Sequence, residues 1–408
     1  MEPEQPPRPV VRFLDRTTPP HLVTLVLLSG LSALTMNIFL PSLPGMAEWF
    51  DAPYRLIQLS VSLYLGISAV MQILIGPLSD RYGRRPVLLW TGAIFILASV
   101  GTVLAPTAGI FLFFRMIQAV IAGAMVLSRA IVRDMVPDAQ AASMIGYVTM
   151  GMALAPMLGP MVGGVLDEAF GWQANFALLV VGGVVVLAIT WADLGETTGR
   201  RQSSMAEQMR QYPALLRSQR YWGYCLCAAA SSGAFFSYLG GAPFVGSEVF
   251  GLPPSTLGLY FALTAVSYAV GNFFTGRYSV RVGMIRMILL GSVVLTAGLT
   301  LLLLLTLAGF SHPLLFFGLI ASVGLGNGMT LPNATAGMMS VRPDLAGSAS
   351  GLGGAITIGG GAGLSALAGA VLTPGGTEVP LLLLMLFTSV LGLVAIWLVI
   401  RRNRKLGL

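Results

Sequence analysis

Twelve stretches of the sequence, each about twenty residues long or more and nearly free of charge, dominate what the chain can become. They run roughly over 21–44, 55–76, 86–105, 109–132, 142–166, 174–194, 221–245, 256–276, 284–308, 314–339, 346–372 and 380–400. About twenty mostly apolar residues in a helix cover the hydrocarbon thickness of a bilayer. Lipid offers no partner for backbone N–H and C=O groups, so a spanning segment of this length has to be a helix. Composition leaves little room for a soluble alternative: 55% of the 408 residues are hydrophobic and 10% are charged, where soluble chains carry about 25% charged residues.

The basic residues set the expected orientation. With the N-terminus in the cytoplasm, 21 of the 23 Lys and Arg residues fall on the inner side, leaving Arg55 and Arg115. The positive-inside bias is then obeyed with both termini cytoplasmic. A net charge of +7 is spread over short loops rather than gathered into one basic patch, so nucleic acid is not an expected partner. The N-terminal tail, "MEPEQPPRPVVRFLDRTTPP", is polar and proline-rich and reads as no cleaved signal peptide. Cys225 and Cys227 stand two apart, with His21 and His312 distant in sequence, so the thiols are expected as small apolar fillers and no metal site or cofactor is expected.

The chain nearly copies itself at an offset of 200 residues. Glu48, Phe50 and Pro53 recur as Glu248, Phe250 and Pro253; Gly76, Ser79, Arg81 and Gly83 as Gly276, Ser279, Arg281 and Gly283; Gly151, Gly159 and Gly163 as Gly351, Gly359 and Gly363. An offset that preserves sidedness predicts twelve transmembrane helices in two parallel six-helix pseudo-repeats. The expected organisation is a cytoplasmic N-tail over 1–20, one half over 21–195, a cytoplasmic linker over 196–220, the second half over 221–400 and a cytoplasmic C-tail over 401–408. A short amphipathic helix on the leaflet is expected within 204–217.

Three motifs carry chemistry. Gly76-Pro77-Leu78-Ser79-Asp80-Arg81-Tyr82-Gly83-Arg84-Arg85 follows the second segment, and Asp80 can pair with an arginine or with helix-terminal N–H groups. Gly76, Asp80, Arg81, Gly83, Arg84 and Arg85 are therefore expected to form a conformational latch. Arg115-Met116-Ile117-Gln118, with Gly123, puts an arginine roughly 9 Å below the outer end of its helix, and an intramembrane arginine is a functional candidate by default. Gly151, Pro156, Gly159, Pro160 and Gly163 fall on the fifth segment. Small residues there allow close helix approach and prolines bend the helix, so a gating helix is expected.

These stretches resemble the G-x-L-a-D-R-x-G-R-R, R-x-x-Q-x-x-x-x-G and exporter-type G-P-x-x-G-G motifs of the major facilitator superfamily. "MNIFLPSLPG", "IQLSVSLYLG" and "GPLSDRYGRRP" further resemble the bicyclomycin-resistance (Bcr/CflA) branch of drug:proton antiporters. The resemblance implies the major facilitator fold, a bacterial inner membrane and export of a small organic compound by alternating access with proton coupling. Asn37 departs from it, standing where that branch usually carries an aspartate. None of the sixteen acidic residues falls in the middle of a span, which keeps open the alternative of an importer or facilitator for a neutral or anionic metabolite. The expected substrate cavity is lined by Asn37, Tyr64, Ser68, Gln72, Arg115, Gln118, Phe235, Tyr238, Tyr268, Asn272 and Asn327. Arg115 there is expected to leave a positive cavity, with Asn37 and Gln118 as its partners. The expected partners are a small-molecule substrate, protons and the lipid bilayer, for a protein acting as a monomer and not as an enzyme, since no nucleophile–base or metal constellation is present.

Overall fold

A computed structural model describes residues 11–135, 144, 148, 155, 158–197, 213, 215–342 and 345–406. Among them, eleven helices are long and apolar enough to cross a membrane. In chain order the helices are α1 (Leu22–Asn37), α2 (Tyr54–Tyr82), α3 (Arg84–Val103), α4 (Ala108–Gln118, continued through Ala122–Met135), α5 (158–170), α6 (Gln173–Asp193), α7 (Gln219–Phe244), α8 (Pro254–Val282), α9 (Met284–Leu307), α10 (Pro313–Val341), α11 (Ala346–Val371) and α12 (Val379–Leu406). Of the fifth expected segment, only 144, 148, 155 and 158–166 are described. Gly151, Pro156 and most of the linker, including 204–212 of the expected helix at 204–217, lie outside the described residues.

Local chemistry places the ends. The Thr107 hydroxyl caps α4 by accepting from Ile110 N at 3.4 Å, and the Ser218 hydroxyl caps α7 by accepting from Tyr221 N at 3.3 Å. Such caps satisfy backbone donors that a helix leaves orphaned. After Asn37, Pro41 and Pro44 break α1 into a 3-10 turn (Leu40–Ser42) and a short helix (Leu43–Trp49), because proline removes a donor and clashes with the preceding turn.

Symmetry shows in the two longest corners. α2 and α8 are each 29 residues, start after Pro53 and Pro253, and end at Gly83 and Gly283 with φ +94° and +93°. Both helices run past the apolar stretch, so Asp80 and Arg81 sit on the last turn of α2 rather than in a loop as the sequence suggested. Polar residues continue a helix where they face water, and only the left-handed glycine stops it.

The start of α1 and the end of α12 lie at one end of the bundle, called here the terminal end. There α1 begins beside Asp193 of α6, and Gly223 of α7 packs on Val399 of α12. At the other, distal end, Tyr54 of α2 packs at a tilt on Phe244 of α7 with ring centroids 5.0 Å apart. The main core joins Phe39, Phe95, Phe111 and Phe176 of the first half to Tyr238, Phe261 and Phe317 of the second. Exposed Trp90, Trp191 and Trp397 face outward, as expected for a surface bathed in lipid.

Candidate functional site

Arg115 is buried within the first half, at 1% exposure. Its guanidinium donates to Thr35 O at 2.8 Å, to Gln118 Oε1 at 2.8 Å and, from Nε, to Ser60 O at 3.3 Å. The Phe39 and Tyr64 rings lie 4.3 and 4.1 Å from Cζ. Gln118 passes the network on to Ser99 Oγ at 2.8 Å. Two carbonyls, an amide and two ring faces thus replace the water an isolated charge would need. The expected partnership with Asn37 is corrected: its Nδ2 donates to Ala33 O of its own helix at 2.9 Å. Arg115 is enclosed in the core of the first half and does not present its charge to a cavity. Tyr238 is enclosed likewise, packed on Phe261 at 4.9 Å and accepting from Thr264 Oγ1 at 3.4 Å.

Other expected cavity residues divide by exposure. Gln72, Phe235, Tyr268 and Asn272 are partly exposed, whereas Tyr64, Ser68 and Asn327 are buried. The Tyr64 and Ser68 hydroxyls and both polar atoms of the Asn327 amide have no hydrogen-bond partner among the described residues. Asn272 Nδ2 donates to Tyr268 O at 3.0 Å.

Sequence reading missed Arg129. The count of basic residues puts it on the inner side, but it lies on α4 inside the span Ala108–Val132, half-buried. The signal was available. Arg129 follows Gln118 by eleven residues and Arg115 by fourteen, spacings that return to nearly the same helix face.

At the terminal end, Arg84 Nη1 pairs with Asp80 Oδ1 at 2.7 Å and Nε with Asp134 Oδ2 at 3.2 Å, and Arg84 also donates to the Ser79 hydroxyl. Glu196 accepts from Arg84 N at 2.9 Å, and Arg85 Nε donates to Leu194 O at 2.7 Å. A Cβ on Gly83 would overlap Glu196. Arg81 lies over the Tyr82 ring at 5.3 Å, and Gly76 has open space around it. These contacts join elements of the first half and Glu196 just beyond it, so the geometry is that of a brace joining α2, α3, α4 and the end of α6.

The halves meet most tightly at the distal end. Gln58 Nε2 donates to Ser365 O at 2.6 Å and to Ser365 Oγ at 2.9 Å, and Tyr54 Oη donates to Gly240 O at 2.9 Å. On the other flank a Cβ on Gly164 would overlap the Pro254 carbonyl, and one on Gly258 would overlap the Pro160 carbonyl. Gly163 abuts the Ile38 carbonyl in the same way, while a Cβ on Gly159 would stand 3.0 Å from Leu34. Toward the terminal end the approach loosens, to 4.0 Å between a Cβ on Gly354 and Gln72 Oε1. Val280, which replaces Asp80 in the repeat, is 96% exposed.

A family model for the Major Facilitator Superfamily matches residues 25–365. The chain belongs to this superfamily. Among relatives of this major facilitator protein, the chloramphenicol resistance protein of Pseudomonas aeruginosa is 33% identical over 308 residues, 74% of this chain and 73% of its own. The bicyclomycin resistance protein homolog of Haemophilus influenzae is 24% identical over 389 residues, 94% of this chain and 97% of its own. The expected resemblance to the drug-efflux branch is therefore borne out. A solved peptide transporter POT in complex with sulfate shares the fold, with a TM-score of 0.76 at 15% identity over 95% of this chain and 94% of that one. This is a multi-pass membrane transporter of the major facilitator fold.

Proposed function

We propose that the protein exports a small organic compound across the bacterial inner membrane by alternating access between two six-helix halves. The observation that carries this reading is the one-sided closure: backbone-close approaches and hydrogen bonds at the Tyr54–Gly240, Gln58–Ser365, Gly164–Pro254 and Gly258–Pro160 contacts gather at one end. With both termini cytoplasmic, as the basic residues argue, the sealed end is external and this state faces inward. Rocking the halves breaks that seal and makes another at the opposite end.

Export is favoured over import by the relatives named for resistance to chloramphenicol and bicyclomycin and by the Gly159-Pro160-Met161-Val162-Gly163-Gly164 seam. A compound of chloramphenicol's size and class is the first substrate to test. Proton exchange is part of the proposal, and a proton-driven cycle here has to titrate acidic groups at the helix ends, because the spans hold none in their interior. The deciding measurement is uptake of labelled chloramphenicol into inside-out proteoliposomes, with and without an imposed pH gradient. Gradient-stimulated uptake supports antiport. Uptake without stimulation supports the facilitator alternative, and no uptake of this or related compounds sinks the reading.

A further inference from the structure

The end of α6 is crossed by the segment that precedes α1. Asp193 accepts from Leu14 N and His21 N, and Gly195 lies so close to the Arg16 carbonyl that a Cβ would overlap it. The segment is a strap pinned to one corner of the bundle. Leu14 is held in it at φ +64°, a backbone conformation that a leucine adopts only where its surroundings impose it. The strap turns apolar side chains outward. Phe13 and Leu14 are 48% and 51% exposed, and Trp191, two residues before Asp193, is 58% exposed.

Two arginines converge on this tryptophan. Arg16 is exposed and lies over the Trp191 ring with Cζ 5.9 Å from its centroid; among the described residues its guanidinium makes no hydrogen bond or ion pair. Arg85, at the start of α3, donates from Nε to Leu194 O at 2.7 Å and from Nη2 to Trp191 O at 3.1 Å. Its Nη1 has no partner among the described residues. The acids nearby are engaged elsewhere: Asp193 by the strap, Glu196 by the backbone N–H groups of Arg84 and Arg85, and Asp15 by Thr17. The patch is thus cationic, aromatic and apolar together, at the rim of the spans where α6 ends and α3 begins.

We infer that Arg16, Arg85 and Trp191 form a site for the phosphate of an anionic phospholipid in the leaflet at the terminal end, with Phe13 and Leu14 against its upper acyl region. Guanidinium groups present paired N–H donors that match phosphate oxygens. A soluble anion would meet the two arginines alone, whereas a lipid meets the exposed ring, Phe13 and Leu14 as well. With this end cytoplasmic, as the basic residues argue, the leaflet is the one that carries anionic lipid. The second half supplies a reference: on α12 Arg401 lies over exposed Trp397 at 5.5 Å. No second arginine touches Trp397 among the described residues.

The test places the full chain in nanodiscs of zwitterionic phosphatidylcholine, into which brominated phosphatidylglycerol or brominated phosphatidylcholine is mixed at one fixed mole fraction. Bromine quenches tryptophan at contact. The emission lost in Trp191→Phe or in Trp397→Phe assigns the quenched signal to each position. Preference for phosphatidylglycerol should be greater at Trp191 than at Trp397 by about fivefold, the order that one further arginine near a membrane surface contributes. Arg16→Gln should remove that margin, and Arg16→Lys, which keeps the charge, should retain most of it. Arg85→Gln should act as Arg16→Gln does; where it fails to fold, the two Arg16 variants decide. Equal preference at the two tryptophans, or a margin that Arg16→Gln leaves unmoved, overturns the inference. Displacement of brominated phosphatidylglycerol by millimolar inorganic phosphate overturns it too, because the occupant would then be a soluble anion. None of these readouts depends on which compound the protein carries, so they decide the lipid site apart from the transport reading.

Discussion

Arg115 shows how a full charge is kept inside a membrane protein without a counter-charge. Its planar fork reaches Thr35 O, Ser60 O and Gln118 at once, and its faces lie against Phe39 and Tyr64. A lysine cannot reproduce that fork. Arg115→Lys should therefore lose about 3 kcal/mol of stability, the lower end for two buried charge-assisted hydrogen bonds, read as a fall in melting temperature in detergent. An unchanged melting temperature would remove Arg115 from the structural role. Asn37→Asp belongs to the same argument. The amide donates to Ala33 O, and a carboxylate placed there meets a carbonyl it repels, so the substitution should also destabilise. Much of this was legible: the apolar setting of Arg115 and the Gln118 spacing announced a buried polar pair. The rest was not, because the acceptors are backbone carbonyls and the other partners are aromatic faces, neither of which leaves a charge pattern in the sequence. Arg129 was lost for a different reason. Arg133 and Asp134 follow it closely, and the polar end of a helix reads like a loop.

Among elements, the pairing of α5 with α8 depends on glycines that meet backbone carbonyls. Gly258→Ala would force its Cβ onto the Pro160 carbonyl, and backbone cannot move aside as a flexible side chain does. The substitution should part α5 from α8 at the distal end and shift the protein toward the state open there. Cysteine labelling at Ser255→Cys reports this, and a labelling rate equal to that of the parent would count against the seam. The Gly-Pro-x-x-Gly-Gly run of α5 was conspicuous in the sequence. Its partner was not, since Gly258 sits in the ordinary stretch "STLGLY" almost a hundred residues away. At the terminal end of α6, Asp193 ties down the segment before α1. Its two oxygens accept from Leu14 N at 2.7 Å, His21 N at 2.8 Å and Thr24 Oγ1 at 2.6 Å, and Leu14 is held at φ +64°. Asp193→Asn turns an acceptor toward these donors into a donor, at a cost of about 1–3 kcal/mol. Release of the segment should speed tryptic cleavage after Arg12 and Arg16, and an unchanged cleavage rate would show that the clamp is dispensable.

At the scale of the whole molecule, the seal between the halves has to be strong enough to hold and weak enough to break in every cycle. Gln58 is central to it: its side chain lies between Gly240 and Gly369, whose built Cβ atoms would stand 2.7 Å from Nε2 and from Oε1 respectively, and it donates twice to Ser365. Together with the Tyr54–Gly240 bond, these interactions exist only while the distal end is closed. Hydrogen bonds of this kind contribute about 1 kcal/mol each. Gln58→Ala should therefore weaken closure by about 2 kcal/mol, which shifts a two-state balance by roughly thirtyfold. The effect has a direction that general loosening lacks, because closure at one end and opening at the other are two views of a single rotation. In protein carrying Cys225→Ala and Cys227→Ala, alkylation of Ala242→Cys, fully buried at the distal end, should accelerate in Gln58→Ala. Alkylation of Asn272→Cys by a reagent admitted only from the terminal end should slow in the same background. Opposite changes establish that the two ends are coupled through one rigid-body motion. If both sites become more reactive together, Gln58 holds the fold rather than the gate, and the seal has to be sought in the glycine contacts of α5 and α8 alone.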